Sequence, residues 1–142
     1  MAASRRWRLA GRWGALVTQG RLVDVPARGT LAAASVSHAV VAEAKTAYLA
    51  GHNTWGQLGQ GRTSVWGTAR IALPDRIVSA AAGLGFTCLA TSDALYVSGT
   101  NVRGQMGLDQ ERGSLSFQRL ALPAVRSVCA GLDHMLVLAG AQ

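Results

Sequence analysis

Read from Gly56, the chain runs Gly-Gln-Leu-Gly-Gln-Gly-Arg-Thr to Thr63. Only Arg62, standing where lysine is required, separates this stretch from the glycine-rich loop that cradles nucleotide phosphates. Such a loop offers backbone N–H groups to the phosphates, a Lys to the β/γ oxygens and a Ser/Thr to Mg²⁺, and it opens a helix. Here Ser64-Val65-Trp66-Gly67 follows, which carries no helix signal. A near-copy starting at Gly104 reads Gly-Gln-Met-Gly-Leu-Asp-Gln-Glu. The copy keeps the first two glycines, loses the third and puts acid where phosphate would sit. Residues that persist while the phosphate chemistry disappears are read as a structural turn, and no cofactor is expected.

Other chemistry is sparse. The chain has neither a nucleophile elbow nor a His-Glu-x-x-His run, and no pair of catalytic carboxylates can be assembled. Asp75, Asp93, Asp109 and Asp133 sit beside turn residues, where capping or solvation is their ordinary role. His38, His52 and His134 lack metal-ligand spacing. Cys88 and Cys129 have no C-x-x-C partner, which speaks against a zinc site and a disulfide framework. Both lie in apolar runs and are expected to be small buried hydrophobes in a reducing compartment. The expectation is a protein without catalytic or metal-binding residues.

The glycines gain meaning from self-comparison. At a displacement of 48 positions, Gly51, Asn53, Gly56, Gln57 and Gly59 fall on Gly99, Asn101, Gly104, Gln105 and Gly107, and Leu58 falls on Met106. The same displacement carries Ala82-Gly83-Leu84 onto Ala130-Gly131-Leu132, and His38 onto Phe86 and then His134. Pro26 maps onto Pro74, and Pro123 lies one residue beyond its expected place. Gly and Asn tolerate positive φ, so Gly-x-Asn-x-x-Gly-Gln-[Leu/Met]-Gly is a chain that doubles back tightly. Leu58 and Met106 would pin that turn to a core. A recurring histidine such as His38 or His134 is expected to bond a neighbouring backbone group.

Each unit reads as short apolar runs broken by Gly, Pro, Asn and Ser, which signals strands. Four strands and their turns fill a 48-residue period, the arithmetic of a propeller blade. The expected architecture is all-β, a partial β-propeller of two to three blades. Its repeat domain spans 25–142, with approximate units 25–61, 73–109 and an incomplete 122–142. At the turns, Trp55 and its counterpart Arg103 occupy a variable position. An exposed Trp or Arg there is a candidate anchor for a protein partner, with Arg62 and Trp66 beside it. Packing of these side chains on the neighbouring blade is the alternative.

The turn motif, preceded by Ala-Gly-x-x-His and an apolar run, resembles the repeat of the regulator of chromosome condensation family. The resemblance covers about residues 25–140 and is strongest in 47–61 and 82–109. It implies blades of a seven-bladed β-propeller with roughly fifty residues each. Three units, the first degenerate, do not close such a ring, and Phe86 replaces the family histidine in the middle copy. The resemblance therefore implies a non-enzymatic interaction module completed by a protein partner or the remaining propeller blades. It also brings guanine-nucleotide exchange on a small GTPase, an activity that depends on the whole ring and on an insertion. A third reading is a structural or assembly protein associated with the mitochondrial ribosome or its RNA.

Charge separates the ends. Of the net +7, Arg5, Arg6, Arg8, Arg12, Arg21 and Arg28 set against Asp24 supply +5, so the body is close to neutral. Direct nucleic-acid contact needs a basic face on that body and is not expected. Residues 1–24 are basic and poor in acid. As a helix they would place Leu9, Trp13, Leu16 and Val17 on one face, in the manner of a mitochondrial transit peptide. Alternatively they are degenerate first strands. The address is accordingly mitochondrial or cytoplasmic/nuclear. No apolar run approaches the roughly 18 residues that would span a bilayer.

Overall fold

The computed structural model describes residues 6–13, 16, 17, 19, 21–109 and 112–140. Among them there are strands and turns but no helix. Around Leu9 the basic segment is extended where a helix could have formed. β1 (Arg6–Leu9) pairs antiparallel with β4 (Val23–Arg28), and β2 (Arg12–Trp13) pairs with β3 (Leu16–Val17). Leu9-Ala10-Gly11 repeats Leu49-Ala50-Gly51, and Gly11 adopts positive φ as Gly51 and Gly99 do. The segment thus has the character of the outer strands of a blade.

A first complete blade follows: β5 (Leu31–Ala34), β6 (His38–Glu43), β7 (Thr46–Asn53) and β8 (Ser64–Ala72), hydrogen-bonded in that order. The second is β9 (Ser79–Ala82), β10 (Phe86–Thr91), β11 (Ala94–Gly99) and β12 (Ser114–Ala121), again in order and antiparallel. β13 (Val125–Ala130) and β14 (Met135–Ala139) form an antiparallel pair in the place of the first two strands of a further blade. The chain is an all-β partial propeller. The blades begin after the prolyl segments and include the strand that follows each turn. The structural units are therefore 31–72, 79–121 and 125–139, later than the sequence periods suggest.

Burial follows position in the blade. β6 and β10 lie between neighbouring blades, and β10 is buried on both faces, so they read as continuous apolar runs. β8 and β12 are half-buried to exposed along their length, with only Ala69 buried, as outer strands are. β5, β9 and β13 stand next to one another. Successive residues of one strand serve successive cores. Ala39 and Val41 pack with Val25 and Leu9 of the N-terminal strands. Val40 and Ala42 pack with Leu49, Leu58, Ile77 and Leu89 between the complete blades. Cys88 and Ala90 pack with Phe86, Met106 and Val128 against the last pair.

That last pair has one bare face. Leu136 and Leu138 are 65% and 62% exposed, whereas Cys88 and Ala90, their counterparts one repeat earlier, are both 0%. Cys129 lies opposite Leu136 and is exposed, so only Cys88 meets the expectation of a buried thiol. Burial pushes the Cys88 thiol up to about 12, leaving it inert.

Candidate functional site

Both turns are built around the same Asn, Gln and Gly positions. Asn53 Oδ1 accepts from the Leu58 N–H at 3.1 Å, and Asn101 Oδ1 from Met106 N–H at 2.9 Å. Their side-chain amides then donate across the turn, to the Arg62 and Leu108 carbonyls. Gln57 Oε1 accepts from Trp55 N–H, and Gln105 Oε1 from Arg103 N–H. Gly56 and Gly59 donate to the Asn53 and Gly56 carbonyls, and Gly104 and Gly107 do the same one repeat later. These four glycines have φ between 71 and 80°, a region costly to residues with a Cβ. Leu58 and Met106 are fully buried beneath the turns.

This bonding answers the phosphate question. The N–H groups of Trp55, Gly56, Leu58, Gly59 and Gly61 are all consumed inside the protein, Gly61 by the Leu115 carbonyl of the next blade. A phosphate cradle would hold such groups free and converging. β8, rather than a helix, follows the loop. Among the described residues no group of His, Cys, Asp and Glu could hold a metal ion.

Beneath the first turn the buried polar side chains close a ring. Thr87 Oγ1 donates to the Gln57 carbonyl at 2.7 Å, so it accepts from His38 Nε2 at 2.5 Å. His38 Nδ1 is then the acceptor for the Ser37 hydroxyl at 2.5 Å, and Ser37 Oγ accepts from Gln57 Nε2 at 3.3 Å. The ring joins two blades and uses the neutral imidazole. Burial, with a smaller contribution from the charge of His52, lowers the His38 pKa to about 4. His38 thus bonds side chains, whereas a backbone partner is the sequence expectation. His134 occupies the equivalent place on the bare face, exposed and 3.6 Å from Asp133.

The candidate partner residues divide between two places. Trp55 lies over Gly85 of the next blade yet stays 47% exposed. Its counterpart Arg103 reaches the equivalent loop one blade on, pairing with Asp133 at 3.6 Å while remaining largely exposed. Each side chain therefore bridges a blade junction and still presents surface. Trp66 turns toward the N-terminal strands. Its ring lies 4.0 Å from that of His52, and the Arg12 guanidinium sits 4.9 Å over it. Arg62 is exposed at the end of its turn.

Beside Trp55 opens a groove of about 450 Å³ whose far wall includes Thr100, Val102 and Arg112 between β11 and β12, and Leu115 at the start of β12. Nothing in the repeat marks these residues, because Thr100 and Val102 hold variable positions of the turn and the displacement of 48 no longer holds by the start of β12. The signal that could have found the outer strands is Arg70-Ile71-Ala72-Leu73-Pro74 against Arg119-Leu120-Ala121-Leu122-Pro123.

No family model and no curated protein matches the sequence. Among solved structures, the crystal structure of human WBSCR16 is similar, with a TM-score of 0.75 at 20% sequence identity. The match covers 87% of this chain and 36% of that one. At that identity the likeness concerns the fold alone. The chain spans about a third of the neighbour's length.

Proposed function

We propose that the chain is a non-enzymatic interaction module, a run of propeller blades of the regulator of chromosome condensation type that presents its turns to a protein partner. One observation carries this reading. The two turns spend their N–H groups on their own architecture and display Trp55 and Arg103 at the same place on successive blades. Trp and Arg are the side chains that most often anchor protein interfaces. The bare face at Leu136 and Leu138 supports the same reading, because a further blade or a partner protein would cover it.

Photo-cross-linking tests this. With a photoreactive residue at Arg62, the purified full chain is expected to form a discrete adduct with a second protein at low micromolar concentration. A chain that yields only its own monomer at every turn position refutes the reading. Release of a fluorescent guanine nucleotide from a small GTPase is the companion assay. Acceleration by the chain would replace the module reading with an exchange factor.

A further inference from the structure

The groove beside Trp55 has rigid walls. Ser98 Oγ donates to the Gly56 carbonyl at 2.6 Å, Gly61 N–H to the Leu115 carbonyl at 2.8 Å, and Gln60 bridges to Ser116. Leu115 packs so closely on Gly56 that a Cβ there would lie 2.7 Å from the Leu115 Cα. One wall belongs to each complete blade, and both are held by bonds that bypass the groove itself. Preorganisation of this kind lowers the cost of binding.

Its lining has a definite chemistry. Trp55, Val102 and Leu115 are 47%, 68% and 42% exposed, an unusual concentration of apolar side chains on one rim. Arg112 is exposed among them and makes no ion pair with any described residue, and among the described residues no acidic side chain lines the groove. Thr54, Thr100 and Ser114 supply the remaining polar side chains of the lining.

We propose that this groove takes an extended acidic segment of a partner protein, its large apolar side chain lying against Trp55 and a neighbouring carboxylate on Arg112. This rests on the interaction-module reading and names its surface and the chemistry of its partner. The guanidinium is suited to a two-oxygen contact with carboxylate. A single-stranded nucleic acid would want a basic track along its backbone, and here one arginine stands in an apolar rim on a nearly neutral body.

The test is fluorescence anisotropy with the full chain and two labelled peptides, a Glu-rich one with a central Phe-Leu pair and the same peptide with Lys for Glu. Saturable binding of the acidic peptide alone is expected. Trp55→Ala and Arg112→Glu should each weaken it about tenfold or more, the loss typical of a removed anchor. Arg76→Glu, an exposed charge away from the groove, should leave binding unchanged and control for net charge. Arg112→Glu is an exposed substitution, so it serves even if Trp55→Ala fails to fold. Equal binding of the lysine peptide, indifference to both variants, or displacement by an oligothymidylate overturns the proposal. A cross-linked partner whose capture ignores Trp55→Ala and Arg112→Glu would defeat the groove while leaving the module intact.

Discussion

At the junction between the two complete blades, the buried space beneath the turn is filled by Ser37, His38, Gln57 and Thr87, joined in a ring of hydrogen bonds. One repeat later, the same four places hold Gly85, Phe86, Gln105 and Met135. Phe86 there is fully buried and packs in the core with Met106 and Val128, and Met135 lies against that core. The turn above keeps the bonds of its Asn and Gln side-chain oxygens and of its glycine N–H groups. The fold of the turn therefore does not depend on how the space below is filled, although Gly85 takes positive φ where Ser37 does not. Hydrogen bonds and hydrocarbon are alternative solutions to one packing problem, but they differ in their response to pH and to mutation.

The largest effect should come from the apolar junction. Phe86→Ala empties a fully buried aromatic site and should cost about 3–5 kcal/mol in urea-unfolding experiments. A cost under 1 kcal/mol would mean that the second junction does not contribute to folding.

Next comes the polar junction, through pH. His38 titrates at about 4 in the folded chain against 6.5 ordinarily. Below pH 6.5 the unfolded chain takes up a proton that the folded chain refuses. This contribution is complete above that pH and is lost as pH falls toward 4, by roughly 3 kcal/mol. The triple variant Ser37→Gly, His38→Phe, Thr87→Met installs the apolar set in the polar junction and should remove that slope while remaining folded. An identical slope in the variant would show that His38 is not its source.

The turns differ in a subtler way. Gly59→Ala and Gly107→Ala both force a side chain to positive φ, costing about 1–2 kcal/mol. The methyl at Gly59 would also strike the Phe117 ring, whereas that at Gly107 meets only Leu120 Cδ1 at 3.8 Å. Gly59→Ala should therefore be the worse by about 1–3 kcal/mol, a gap that thermal unfolding would reveal. The smallest effect belongs to Arg103→Ala. Its exposed pair with Asp133 should be worth at most about 1 kcal/mol, so binding to a partner, rather than stability, is where this residue should register.

How much of this was legible in the sequence depends on what each residue does. Gly51, Asn53, Gly56, Gln57 and Gly59 announce themselves because positive φ and internal capping admit few residue types, so the copy at Gly99 to Gly107 had to keep them. The blade boundaries were hidden because β8 and β12 are half-exposed outer strands, where many sequences suffice. The N-terminal strands were ambiguous because an Arg-rich stretch with spaced apolar residues satisfies a helix and a pair of strands equally. Only the third dimension could show that Thr87 and Ser37 meet His38, since Thr87 comes from the neighbouring blade. It also resolves Trp55, which packs on the next blade with one part and meets solvent with the other.

The central claim is that the glycines near Trp55 build a self-satisfied turn closing a blade junction. Amide hydrogen exchange at Gly56, Leu58, Gly59 and Gly61, followed by NMR with and without magnesium and nucleotide, tests it most directly. The expected result is slow exchange in the free protein and no change when nucleotide is added. Fast-exchanging amides that become protected by nucleotide would contradict it.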